Sequence, residues 1–143
     1  MRKNSKNAYT PKKRNTGSRK RKKVLLIATE GKNKTEKLYF RNFNSDNVSV
    51  QFTHGNETDP PNMTARLICE YNDDELTTDD LAVCLVDTDF DSYKDAQIKE
   101  ADNAIPDHLS EYARVIVSNP SIELWFICQY SDTTRQYRNR DDV

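Results

Sequence analysis

A chain of 143 residues, 31% of them charged, has room for one soluble domain around a single core. No stretch reaches the roughly 18 apolar residues of a membrane span, and the first residues lack the apolar segment of a secretory signal, which argues against a membrane or exported protein. The net charge of −1 conceals a division: residues 1–23 carry eleven Lys or Arg and no acid, leaving eleven basic groups to face all 23 acidic ones.

The basic leader, residues 1–23, is almost without apolar content and is expected to be disordered. Its last members, Arg19, Lys20, Arg21, Lys22 and Lys23, suit attraction to phosphate backbones; a solubilising tail is the alternative. Val24 to Ala28 then reads as a buried strand, followed by Thr29-Glu30-Gly31. Asn33-Lys34-Thr35-Glu36 resembles a capping box opening a helix whose apolar face is Leu38, Tyr39, Phe40 and Phe43. Val48 to Phe52 alternates with period two and reads as a second strand, nearer an edge. A loop runs through Asp59-Pro60-Pro61. A second helix is expected near Asn62, with Ala65, Ile68, Cys69 and Asn72 on one side, and an acidic turn covers 73–80.

Leu81 to Val86 is the third strand, and it runs into Asp87-Thr88-Asp89-Phe90-Asp91. An amphipathic helix near 93–104 and a fourth strand, Ala113 to Val117, follow. Ser118-Asn119-Pro120 reads as the start of a last helix, Ile122 to Gln129, apolar almost all round and therefore expected to be largely buried, Trp125 included. Residues 131–143 form a polar extension without clear period, and the chain is read either as a fragment or as an abbreviated version of its kind. Strands alternating with helices at this spacing imply βαβ crossovers and a mainly parallel sheet of about four strands in residues 24–130. Cys69, Cys84 and Cys128 form no C-x-x-C pair and are read as buried thiols of a reducing cytoplasm.

In such a sheet the reactive groups gather at the carboxyl ends of the strands. Asp87 and Asp89, two apart in extended backbone, would point to one side and share a divalent cation. Glu30, at the end of another strand, would complete the shell or accept a proton from an attacking water, and Asp91 could contribute from the loop. The competing reading of this acidic stretch is a turn that caps the next helix. Asn119 and Glu123 could face the same crevice, or could serve their own helix as cap and dipole partner. Lys32 and Lys34 could meet a phosphate beside the metal, or be solvated. His54 and His108 lack a matching partner for ligation. With three glycines in the chain no phosphate-cradling P-loop can be built, so ATP hydrolysis is not expected of this domain.

The series Thr29-Glu30-Gly31-Lys32-Asn33-Lys34-Thr35-Glu36, then Asp87-Thr88-Asp89, then Ser118-Asn119-Pro120-Ser121-Ile122-Glu123-Leu124-Trp125 resembles the RloB-like (AbiLii-type) phage-defence proteins of the Toprim superfamily. The resemblance implies a Toprim-like, Rossmann-like α/β fold and a nuclease using Mg²⁺ or Mn²⁺, with Glu30, Asp87 and Asp89 at its centre. It also implies a nucleic-acid substrate (DNA or RNA, tRNA among the candidates) and an ABC/AAA-type ATPase partner in abortive infection. The alternative is a catalytically weak Toprim-like scaffold docked on that ATPase. Relatives of this kind continue with more helix where this chain ends.

Overall fold

The structure, a computed structural model, describes residues 20–31, 34–132 and 135–137. Four strands alternate with four helices: β1 (Lys23–Thr29), α1 (Lys34–Arg41), β2 (Val48–Phe52), α2 (Pro60–Asp73), β3 (Leu81–Asp87), α3 (Ser92–Asn103), β4 (Ala113–Ser118) and α4 (Ile122–Tyr130). A short 3₁₀ turn, Asp107–Leu109, precedes β4. The sheet order is β2-β1-β3-β4 and all three pairings are parallel, with Leu25 opposite Leu81 and Asp87 opposite Ser118. The expected parallel α/β, Rossmann-like sheet is therefore present, with β2 at an edge. Among the described residues no helix is long and apolar enough to cross a membrane.

Right-handed crossovers explain where the helices go. The chain moves from β1 to β2 in one direction and from β2 through β3 to β4 in the other, so α2 and α3 share one face. That face is packed: Val24, Leu26, Ala28, Ala82, Cys84 and Val86 from the sheet meet Met63, Leu67 and Tyr71 of α2. The buried stripe of α2 is thus Met63-Leu67-Tyr71 rather than the side carrying Ala65, Cys69 and Asn72, which is exposed. The helix also begins two residues earlier than the sequence suggests. Asp59 caps it by accepting from the Asn62 amide at 3.1 Å, and Pro60 and Pro61 occupy positions where a missing N–H does no harm.

The opposite face is thinly covered. Tyr39 and Phe40 of α1 and Phe43 just beyond it form an aromatic cluster that Tyr39 joins to Phe126 of α4, and beside it a groove of about 670 Å³ runs over Leu85, Ile116 and Trp125. The expectation that α4 is largely buried is therefore overturned. Only Ile122 is buried, while Trp125 is 60% and Tyr130 89% exposed. An apolar helix is buried only where something lies over it, and among the described residues nothing covers its outer side. Cys84 is a buried thiol, as expected, but Cys69 and Cys128 are exposed because they sit on the outward sides of α2 and α4.

The amino edge of the sheet is closed by one carboxylate. Asp80, wholly buried just before β3, accepts both terminal nitrogens of Arg21 at 3.0 and 2.8 Å, the Val24 and Thr77 amides at 2.7 Å each, and the Thr77 hydroxyl at 3.1 Å. Burial alone would raise its pKa, but the guanidinium and these donors outweigh burial and hold it at about 2. The start of β1 is thereby tied to the start of β3.

Candidate acidic site at the carboxyl edge

The strand order reverses direction between β1 and β3, and in open α/β sheets the crevice at that reversal is where ligands bind. Glu30 follows β1 and Asp87 ends β3, so sequence and topology together bring both to this crevice. The two loops beyond β3 and β4 are sewn to each other there. The Thr88 amide donates to Ser118 O at 2.9 Å and the Asp89 amide to Pro120 O at 3.0 Å, while the Thr88 hydroxyl donates to Asn119 Oδ1 at 2.9 Å. Gly31, at φ +52°, turns the chain after Glu30 and donates its amide to Glu57 O at 2.8 Å. A residue with a Cβ adopts that conformation only under strain.

The centre of the site is a residue the sequence reading passed over. Lys94, in the first turn of α3, directs its ammonium to Glu30 Oε1 at 2.8 Å, Asp89 Oδ2 at 2.8 Å and the Asp87 carbonyl oxygen at 2.9 Å. Burial works against its charge, yet the hydrogen bonds to Asp89 and Glu30 outweigh burial and raise its pKa. Glu30 and Asp89 therefore face a common point, and that point holds a positive charge. Helix side chains lean toward the amino end of their own helix, which carries Lys94 back over the end of β3. Spacing alone gave no sign of this, since its partner Glu30 lies 64 positions earlier.

Asp87 is used differently from the expectation. Its Oδ1 accepts the Ile122 amide at 3.0 Å, so this carboxyl caps the amino end of α4 from a neighbouring strand. It is nearly buried, and burial pushes its pKa up to about 7, reinforced by the carboxylates of Glu123, Glu30, Glu36 and Asp89. Asp89 does not sit beside Asp87 through strand alternation. The strand ends at Asp87, and Asp89 and Phe90 adopt left-handed backbone at φ +51° and +57°. For a bulky residue such as Phe90 that conformation is strained, and strain of this kind gathers at functional sites.

The remaining candidates divide. Glu123 approaches the cluster: its charge acts on Asp87, and its Oε2 is buried with no hydrogen-bond partner among the described residues. Glu36 of α1, a capping residue by its place in the sequence, is also buried and acts on Asp87. Asp91 instead caps α3, accepting from the Tyr93 amide at 2.9 Å. Asn119 is engaged with Thr88 and does not cap α4, whose cap position is Ser121. Lys34 is exposed at the start of α1. Lys32, Asn33 and Arg19 lie outside the described residues, as does most of the basic leader. Arg21, Lys22 and Lys23 stand at the amino edge of the sheet, opposite the acidic cluster, where Lys22 donates to Ser45 O at 2.7 Å. His54 Nδ1 lies 3.0 Å from Glu70 Oε2, so this histidine fastens a loop to α2.

Against a hard divalent cation, the donor set is chemically apt. It offers only oxygen, it carries more carboxyl groups than its lysine balances, and Glu123 Oε2 is buried without a hydrogen-bond partner among the described residues. As the side chains stand, no group of three or more ligating residues is assembled around one point among the described residues. A family model described as RloB-like protein matches residues 25–143. No curated protein and no solved structure matches the chain.

Proposed function

The chain belongs to the RloB-like protein family, and from that premise we propose that it is a Toprim-type, metal-dependent nuclease acting in phage defence. The observation that carries the reading is the convergence of Glu30 and Asp89 on one positive charge, each at 2.8 Å, beside a carboxyl group that burial and neighbouring carboxylates drive up to about pH 7. That arrangement stands at the crevice where a parallel sheet presents its ligand-binding edge.

In this reading Glu30, Asp87 and Asp89 hold Mg²⁺ or Mn²⁺, with Glu123 within electrostatic reach. The cation, when bound, supplies Lewis-acid activation of water and neutralises charge developing on the phosphate. Glu30 accepts the proton of the water that attacks the phosphodiester. The link between Asp87 and the Ile122 amide fixes α4 against the end of β3, keeping Glu123 close. The Thr88–Ser118 and Asp89–Pro120 bonds hold the two loops rigid around the reacting group. Phosphodiester binding draws on Lys34 and on the basic leader, and cleavage is coupled to an ABC/AAA-type ATPase partner.

A second reading, a Toprim-like subunit with little activity of its own, is favoured by the open apolar groove over Leu85, Ile116 and Trp125, which suits docking on that ATPase. One experiment separates the two. The protein is incubated with DNA, tRNA or total RNA in Mn²⁺, with and without the ATPase, alongside Glu30→Gln. Cleavage that disappears in Glu30→Gln is expected. Intact nucleic acid in every pairing would favour the docking subunit, and cleavage surviving in Glu30→Gln would remove that residue from the mechanism.

A further inference from the structure

We propose that Lys94 is a built-in competitor of the catalytic cation, its ammonium seated where Glu30 and Asp89 converge, so that a divalent ion enters only as Lys94 withdraws. The inference rests on the nuclease reading of Glu30, Asp87 and Asp89, and it adds a means of regulating that site.

The ammonium is bound as a cation would be. It has three N–H donors and three oxygens around it, from Glu30, Asp89 and the Asp87 backbone, at 2.8, 2.8 and 2.9 Å. Its side chain is 16% exposed, so these bonds are not loose surface pairings. Two cations cannot take the same carboxylate oxygens at bonding distance, and like charges so close repel strongly. The stem of a lysine is flexible, with four rotatable carbons, so its head can leave without any shift in the strands. The residues that aim it are themselves set firmly: Asp91 caps the helix that carries it, and the Asp89 amide is fastened to Pro120 O at 3.0 Å. The described arrangement is therefore a resting one, in which the protein neutralises its own acidic cluster. Whatever draws the ammonium away, such as the phosphates of a nucleic acid, makes room for the metal.

A purely stabilising ion pair predicts a different result from a competitor, because its loss disorders Glu30 and Asp89 and leaves cation affinity equal or lower. The test is isothermal titration of Mn²⁺ alone into the full chain for wild type, Lys94→Met, Lys94→Gln and Glu30→Gln. Melting curves establish which variants are folded, and Lys94→Gln, which keeps a polar head without charge, serves where Lys94→Met does not fold. Competition predicts Mn²⁺ binding at least about tenfold tighter in the Lys94 variants than in wild type, with binding lost in Glu30→Gln. Equal or weaker binding in the folded Lys94 variants overturns the competitor role while leaving the metal site standing. No Mn²⁺ binding in any of the four proteins overturns both.

Discussion

Strand β3 is bracketed by two buried aspartates whose circumstances are opposite. Asp80, ahead of the strand, meets a bidentate guanidinium, two amides and a hydroxyl, and its pKa falls to about 2. Asp87, at the strand's end, meets one amide and several carboxylates, and its pKa climbs to about 7. Burial raises the pKa of both, and what separates them is that the partners of Asp80 outweigh burial while the carboxylates around Asp87 add to it. A fully satisfied buried charge belongs to the architecture. A buried carboxyl kept among its own kind opposes folding at neutral pH, and a protein retains such a group where function requires it.

The contrast can be broken most severely at the satisfied end. Asp80→Ala leaves the Val24 and Thr77 amides without their acceptor and is expected to lose on the order of 3 kcal/mol, read as a lower urea midpoint at pH 7. A loss below about 1 kcal/mol would mean that the clamp contributes little.

The other end should respond with the opposite sign. Asp87→Asn keeps the acceptor for Ile122 and removes the charge, so the metal-free variant should be more stable than wild type by on the order of 2 kcal/mol at pH 8 while losing cleavage. The gain depends on pH in a defined way. Folded Asp87 keeps its proton up to about pH 7, whereas in the unfolded chain it ionises near 3.8. Between those values the native state binds more protons, so wild-type stability falls as pH rises and the whole penalty is present above 7. The difference in melting temperature between variant and wild type should therefore be small at pH 4, widen toward pH 7 and then level off. A difference that stays flat throughout would mean that the crowding of Asp87 is not real. Asp80 runs the other way: its contribution is complete above about pH 4 and is lost as pH falls through about 2.

The smallest effect belongs to a third aspartate of the same stretch. Asp91 caps α3 from the loop, so Asp91→Ala should lower stability by about 1 kcal/mol without changing Mn²⁺ affinity, measured by denaturation and titration. Altered affinity would place Asp91 in the cation site after all.

These three aspartates mark how far the chain could be read in advance. The element order and nearly every strand boundary follow from short apolar runs bounded by polar turns and, for β2, from period-two alternation. Glu30 and Asp87 follow in turn, since a parallel sheet delivers every strand end to one edge. Asp89 was legible as a neighbour of the site but not in its geometry. Period-two reasoning lapses one residue after the strand does, and left-handed backbone at Asp89 and Phe90 leaves no mark in composition. Lys94 and the Arg21–Asp80 clamp were hidden for a shared reason: each pairs groups some sixty positions apart, 64 in one case and 59 in the other, and a single sequence carries no trace of such pairings. Trp125 and α4 misled because apolar content records what a helix could bury, not whether a cover is present.

The parallel pairing of β1 with β3 has a consequence for biogenesis. Leu25 meets Val50 of β2 first and its second partner only at Leu81, so the apolar Leu26 and Ile27 leave the ribosome well before β3, the strand on their other side, is made. No hairpin can shield them in the interval, because each neighbour of β1 runs in the same direction. Nascent chains should spend that interval exposed to chaperones and to one another, and cooler, slower expression should raise the yield of native protein.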